Sequence, residues 1–314
     1  MTVSARATAR ADQLTYRPAR PDEIEVCAGI WRIAINDYIV RLGQPEMPDD
    51  VGPTARLFTH LQSSDPGRFL VGLDPEERVV AFTAAVVREH LWYLAMLFVL
   101  PEHQGQGIGR RLLELARPDE TVTARATATD TAQPISNALY ASLGIVPRVP
   151  LLRLVGNVTV QDGLPPLPPG VEPIPFDAIE DQALLAAEIE RLDRATLGIA
   201  HPGDHAFARS QGREGFLYRG GDGLPVGYGY AAPSGRVGPI AVDDPSLLAP
   251  ILAHVIRAVE PRGAFAAWLP GTVGEAVPML LRAGFRLDGF PFLLCWDQPF
   301  GDFSRYVPIS PGLL

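Results

Sequence analysis

The chain has no lysine: all 27 basic residues among its 314 are arginine. Beside 30 glycines and 31 prolines, that bias is what a GC-rich bacterial genome produces. Net charge is −9 and the arginines form no basic stripe, which argues against nucleic-acid binding through phosphates and mildly favours cationic small molecules. Cysteine is equally scarce. Cys27 and Cys295 sit in opposite halves, and neither has a second cysteine or a histidine at metal-ligand spacing from it. A disulfide scaffold is therefore excluded, both thiols are expected reduced in a core, and no metal is expected. Long apolar runs are missing too. The longest, Leu91 to Leu100, spans half of the roughly 20 residues that a membrane helix needs. The first 13 residues are polar, carry Arg6 and Arg10, and lead into no apolar signal segment, so a cytoplasmic protein is expected. With 47% hydrophobic and 20% charged residues the chain is ordinary globular material, and its length suggests two domains of about 150 residues each.

The stretch Leu91 to Ala116, LWYLAMLFVLPEHQGQGIGRRLLELA, organises the first half. Its ten apolar residues fit a strand covered on both faces, ended by Pro101. From Ile108 the apolar positions Leu112, Leu113, Leu115 and Ala116 follow the 3.6-residue period, with Arg110, Arg111, Glu114 and Arg117 opposite. A helix is thus predicted from about Gly107. Gly105, Gly107 and Gly109 stand at its N-terminus, where absent side chains and unpaired N–H groups suit an anion such as phosphate.

Spacing sorts the phosphate-loop motifs. A Rossmann fingerprint needs two residues between its last glycines and here there is only Ile108, while a Walker loop ends Gly-Lys-Ser/Thr and this one ends Gly-Arg-Arg. The stretch instead resembles the Gln/Arg-x-x-Gly-x-Gly/Ala pyrophosphate motif of the GNAT superfamily of acyl-CoA-dependent N-acyltransferases, through Gln104, Gly107 and Gly109, with Val-x-Pro before the loop and Ile-Gly-Arg-Arg-Leu-Leu after it.

Apolar periodicity predicts, in order, a strand at Leu14 to Arg17, a helix from Pro21 with Trp31 and Tyr38 on its apolar stripe, and a helix near Thr54 to Leu61. Strands at Phe69 to Leu73 and Val79 to Arg88 lead into Leu91 to Leu100, and after the glycine-loop helix come a strand at Thr121 to Ala128 and a helix at Gln133 to Leu143. Val146 to Val155 is expected to complete the sheet. This order is similar to the GNAT arrangement over residues 14–155. Residues 156–170, with four prolines around Leu167, read as a stiff linker. Residues 171–310 repeat the pattern: a meander at Phe216 to Tyr218, Val226 to Ala231 and Arg236 to Val242, a helix at Leu247 to Val259, a strand at Ala264 to Trp268 and a helix at Val273 to Ala283. The expected fold is therefore α/β (α+β), two tandem GNAT-like domains, each a mixed, mostly antiparallel twisted sheet flanked by helices. In the second copy Val242-Asp243-Asp244-Pro245-Ser246 replaces the glycine loop and Leu280 replaces Tyr140. That copy is expected not to bind CoA.

The resemblance implies acetyl-CoA as cosubstrate and an amine as acceptor. Backbone N–H groups of Gln104, Gly105, Gln106, Gly107, Ile108 and Gly109 would cradle the pyrophosphate, with Arg110 available to a phosphate oxygen. Leu97, Phe98 and Val99 would pair with the pantetheine amides, an N–H near Val99 facing the thioester oxygen. Tyr140, in Ser136-Asn137-Ala138-Leu139-Tyr140-x-x-x-Gly144, matches the family tyrosine that protonates the departing thiolate; a core tyrosine is the alternative. The family's asparagine seven residues earlier is Gln133 here, and Asn137 is a neighbouring candidate. Trp31 and Tyr38 are core residues or part of an acceptor wall. The general base stays unassigned among Glu89, His90 and His103. The implied activity is N-acetyl transfer to a small-molecule or peptide amine in a ternary complex, with homodimerisation left open. A non-catalytic acyl-CoA-binding or interaction protein is the alternative class. The tandem layout is also similar to mycothiol synthase, whose competent half is the second; here the motifs sit in the first.

Overall fold

The computed structural model of the protein describes residues 10–118 and 121–314, so most of the polar tail expected at residues 1–13 lies outside the described residues. Packing divides the chain into two units, residues 1–87 with 92–122, and residues 88–91 with 123–314.

In the first unit β1 (Thr15–Pro18) is followed by α1 (Ile24–Ile39), α2 (Gly52–Ser64), β2 (Phe69–Leu73), β3 (Val79–Arg88), β4 (Leu91–Val99) and α3 (Ile108–Leu115). The strands lie side by side in the order β1-β2-β3-β4. β2 runs antiparallel to β1, with Thr15 opposite Leu73, and to β3, with Phe69 opposite Ala84. Helical spacing turns Ile24, Cys27, Ile30 and Ala34 of α1 inward, and leaves Trp31 and Tyr38 half-buried. Phe58, Phe69 and Phe82 form the aromatic centre of the core, with ring centroids 5.2 to 6.1 Å apart. The β2–β3 turn forms where expected, because the Asp74 carboxylate accepts from the N–H groups of Glu76 and Arg78.

The second unit holds the tip of the β3–β4 hairpin, then β5 (Ala124–Asp130), α4 (Pro134–Ala141), β6 (Val146–Gly156), β7 (Glu172–Pro175), α5 (Gln182–Leu197), α6 (Pro202–Ser210), β8 (Glu214–Arg219), β9 (Pro225–Ala231), β10 (Val237–Val242), α7 (Leu248–Ala258), β11 (Phe265–Pro270), α8 (Ala276–Arg282), β12 (Arg286–Leu287), β13 (Phe292–Trp296) and β14 (Tyr306–Val307). The meander and the two later helices fall where periodicity puts them. One sheet runs β7-β8-β9-β10-β14. The other departs from expectation. β6 does not complete the sheet beside β5, because β13 lies between them: Leu294 faces Ala128 on one side and Val149 on the other. β6 then pairs with β11. No local pattern announces a pairing between strands so far apart in sequence.

The proline-rich stretch 156–170 is fastened to this unit. Leu164 is buried in a core with Ile251, Leu252, Val255, Leu269 and Leu280, and Arg257 donates to the carbonyls of Leu164 (3.1 Å) and Pro165 (2.9 Å). Among the described residues no helix is long and apolar enough to cross a membrane.

Candidate active site

β4 is buried from Leu91 to Ala95, but Met96, Leu97, Phe98 and Val99 are each partly exposed. The sequence expectation of a strand covered throughout therefore fails over its last four residues. These include the three positions that the resemblance gives to pantetheine. Phe98 is steadied on its inner side by stacking on Phe82, ring centroids 5.6 Å apart.

Pro101 stops the strand and a single 3-10 turn, Pro101–His103, leads into the glycine loop. Gln104 braces it by donating its side-chain amide to Val99 O at 3.0 Å. Gly105 and Gly107 take φ of +76° and +80°, the left-handed region that costs an L side chain about 1–2 kcal/mol. A Cβ at Gly105 would meet nothing within 4 Å, and one at Gly107 only the Ala11 Cβ at 3.7 Å. The glycines thus answer to backbone conformation, and the space above the turn is left open. Gln106 O accepts from Ala11 N at 3.2 Å, which anchors the turn to the chain ahead of β1.

α3 begins at Ile108 with Gly107 as its N-cap and with no side-chain cap. The first-turn N–H groups therefore receive no acceptor from a capping side chain, and the positive end of the helix faces the open space. Ile108 is buried and offers only its backbone, Gly109 lies in the first turn, and Arg110 is exposed beside it.

Tyr140, Gln133 and Asn137 belong to the second unit. Gln133 is the half-buried N-cap of α4. Asn137 donates its amide to Asp130 O (2.9 Å) and Gln133 O (2.8 Å), bracing the turn from β5, while its Oδ1 is buried without a hydrogen-bond partner. Tyr140 is 5% exposed. Burial pushes its phenol above the usual tyrosine range, Cys295 nearby adds to the rise, and a hydrogen bond with Ser136 opposes it. The group is thus a protonated phenol at any working pH.

The three candidates for the base fare differently. Glu89, at φ +50°, is held by its partners: its Oε1 accepts from Arg194 Nη2 at 2.9 Å and from Ala200 N at 3.3 Å. His90 sits half-buried in the same turn, its carbonyl accepting from Thr123 N at 2.9 Å. His103, which ends the 3-10 turn just before the glycine loop, is buried with Nδ1 lacking a hydrogen-bond partner.

In the stretch that the sequence reading sets against the glycine loop, the Asp244 carboxylate caps a turn by accepting from Ser246 N at 2.8 Å, and Leu280, set against Tyr140, is fully buried. The edge of β10 is taken by β14: Ile240 pairs with Val307, Ala241 with Tyr306, and Val242 N donates to Arg305 O at 3.1 Å.

Residues 30–145 match the model of the acetyltransferase (GNAT) family. A putative acetyltransferase from Pyrococcus horikoshii is similar in structure with a TM-score of 0.73 at 15% identity, over all of both chains. A GCN5-related N-acetyltransferase from Sphaerobacter thermophilus reaches 0.61 at 16% identity, covering 95% of this chain and all of that one. A tandem GNAT protein from the clavulanic acid biosynthesis pathway reaches 0.53 at 16% identity, covering 90% of this chain and 98% of that one. At such identities the likeness is one of fold, and that fold is a two-domain α/β arrangement. No curated protein matches the chain. The residues matched by the GNAT model include the glycine loop, Gln133, Asn137 and Tyr140.

Proposed function

We propose that the protein is an N-acetyltransferase that moves the acetyl group of acetyl-CoA directly to an amine in a ternary complex. The observation that carries this reading is the turn ahead of α3, where two left-handed glycines leave open space over an uncapped helix N-terminus. Such a place suits a pyrophosphate. The partly exposed Leu97 to Val99 segment would take the pantetheine arm. Tyr140 would donate the proton that the departing thiolate needs, a role for which burial keeps its phenol protonated. Covalent relay through a thiol is disfavoured, because Cys27 and Cys295 are buried and burial pushes both up to about 12.

The domains proposed are 14–155 for CoA binding and 171–310 as a degenerate copy, joined by 156–170. Two facts support the loss of CoA binding in the second. Asp243 and Asp244 replace the glycine turn, and β14 occupies the edge of β10. A non-catalytic acyl-CoA binder is the second reading, favoured by the engagement of Glu89 with Arg194.

Acetyl-CoA titrated by calorimetry, followed by initial-rate kinetics over an amine panel, tests the proposal. One site per chain and intersecting double-reciprocal lines are expected. Parallel lines would overturn direct transfer, and binding without turnover for any amine would favour the second reading.

A further inference from the structure

A cluster of polar side chains lies in the dry core of the second unit, remote in sequence from every motif above. Asp193, on the inner face of α5, is fully buried. His201 is the N-cap of α6 and His205 stands one turn later, each at most 2% exposed. Strand alternation turns Tyr228 and Tyr230 of β9 to the same face, and Tyr306 of β14 joins them. Both histidines direct Nε2 at one atom: Asp193 Oδ2 lies 3.5 Å from that of His201 and 2.9 Å from that of His205. Tyr228 donates to the other carboxylate oxygen at 2.5 Å, and Tyr306 Oη lies 3.3 Å from His201 Nε2.

Hydrogen bonds alone satisfy this cluster unevenly. His205 has Asp193 on one side and Tyr230 Oη, 3.1 Å from Nδ1, on the other. His201 is left with long contacts, and its Nδ1 is buried without a hydrogen-bond partner, 3.6 Å from Asp204 Oδ2. A cation among the converging donors accounts for the arrangement. Around a tetrahedral first-row ion at about 2.0–2.1 Å from its ligands, neighbouring donors stand about 3.3–3.4 Å apart. The Asp193–His201 separation already has nearly that value, and the Asp193–His205 contact needs to open by a few tenths of an ångström. One ligand atom from each of the three residues lies within 4.8 Å of the others.

The outer contacts fit as well. Ligating histidines turn their second ring nitrogen to an oxygen. His205 Nδ1 has Tyr230, and His201 Nδ1 faces Asp204, a carboxylate that Arg88 holds with bonds of 2.9 and 2.8 Å.

We propose that Asp193 Oδ2, His201 Nε2 and His205 Nε2 bind one divalent first-row transition ion, zinc being the best fit, with the Tyr306 oxygen as fourth donor. Two imidazoles, a carboxylate and a phenol are a nitrogen–oxygen set suited to zinc, not to calcium or magnesium. No side of the site is open to solvent, so the ion would be structural, fastening α5, α6 and β14 together. This proposal is independent of the acetyl-transfer reading.

The test uses the full chain carrying no histidine tag, grown with zinc, dialysed without chelator and assayed by elemental analysis. One zinc per chain is expected in the wild type, falling at least about tenfold in His205→Gln. If that variant does not fold, wild type grown in cobalt supplies the second measurement: visible d–d bands of tetrahedral cobalt, displaced by zinc but not by magnesium. A folded wild type with less than about a tenth of an equivalent, both as grown and after refolding with zinc, overturns the proposal. So does unchanged metal content in His205→Gln.

Discussion

Replacing Gly107 with asparagine separates the two jobs assigned to that residue. Its φ of +80° penalises most L side chains by about 1–2 kcal/mol, but asparagine enters this region several-fold more readily than they do. The added Cβ would meet only Ala11, at an ordinary 3.7 Å, so the fold should lose under about 1 kcal/mol, or a few degrees in Tm. The ligand should suffer more. The new amide would stand in the open space above the first turn of α3, excluding the pyrophosphate from a helix terminus worth about 0.3–2 kcal/mol to an anion. With steric exclusion added, Kd for acetyl-CoA should rise at least about tenfold, or 1.4 kcal/mol. Gly43→Asn is the control, because Gly43 has φ +72° and nothing within 4 Å of its Cβ position, yet lies outside the loop. Calorimetry with acetyl-CoA and thermal unfolding are run on both. A Kd within about twofold of wild type in Gly107→Asn, or an equal loss in Gly43→Asn, would refute the assignment of this turn to the cosubstrate.

Tyr140→Phe should lower kcat by about 10²–10⁴-fold while acetyl-CoA affinity holds, because the proton is needed in the transition state; unchanged kcat would return Tyr140 to a packing role. The Glu23 carboxyl is held at about 2, against an ordinary 4.5, first by the Arg17 hydrogen bond and also by Arg20, with burial opposing. Folding therefore gains from it fully above pH 4.5 and loses that gain as pH falls toward 2. The shift caps the gain near 3 kcal/mol, and partners 29% and 64% exposed reduce it to about 1–2 kcal/mol. Urea unfolding of Glu23→Gln should show that deficit at pH 7 and little at pH 2.5; an equal deficit at both would contradict the linkage. Leu294→Ala should cost about 2–5 kcal/mol, since the side chain is 1% exposed in the strand between β5 and β6, and a loss under about 0.5 kcal/mol would mean that this insertion is not needed.

How legible the chain is depends on the range of the cause. Helices and strands set by their own periodicity, such as α1, α3, α7 and the β8–β10 meander, can be read directly. So can the glycine turn, since only glycine takes φ near +80° cheaply. The placing of β13 between β5 and β6 cannot be read, because Phe292 to Trp296 is only a short apolar run until its partners are known. The same holds for Asn137, whose amide is taken up by Asp130 and Gln133. Asp193, His201 and His205 cannot be grouped from the sequence for a similar reason. His201-x-x-x-His205 is a local sign at helical spacing, but Asp193 joins it only through the packing of α5 on α6. Tyr306, in the last ten residues, joins only because β14 returns to β10.

That return of β14 decides what restoring the second loop could achieve. Changing Asp243 and Asp244 to glycine would remove two carboxylates and would cost the 3-10 turn ahead of α7 its Asp244 cap, about 1 kcal/mol. It would not free the strand edge. Val307 and Tyr306 are fully buried against Ile240 and Ala241, and Val242 N already donates to Arg305 O. A pantetheine arm seeking amide partners on β10 would have to displace a strand whose backbone and side chains are both satisfied. Calorimetry on Asp243→Gly/Asp244→Gly should therefore still give one acetyl-CoA per chain. Two sites would show that the carboxylates alone keep a second CoA site closed, and that β14 yields its place readily.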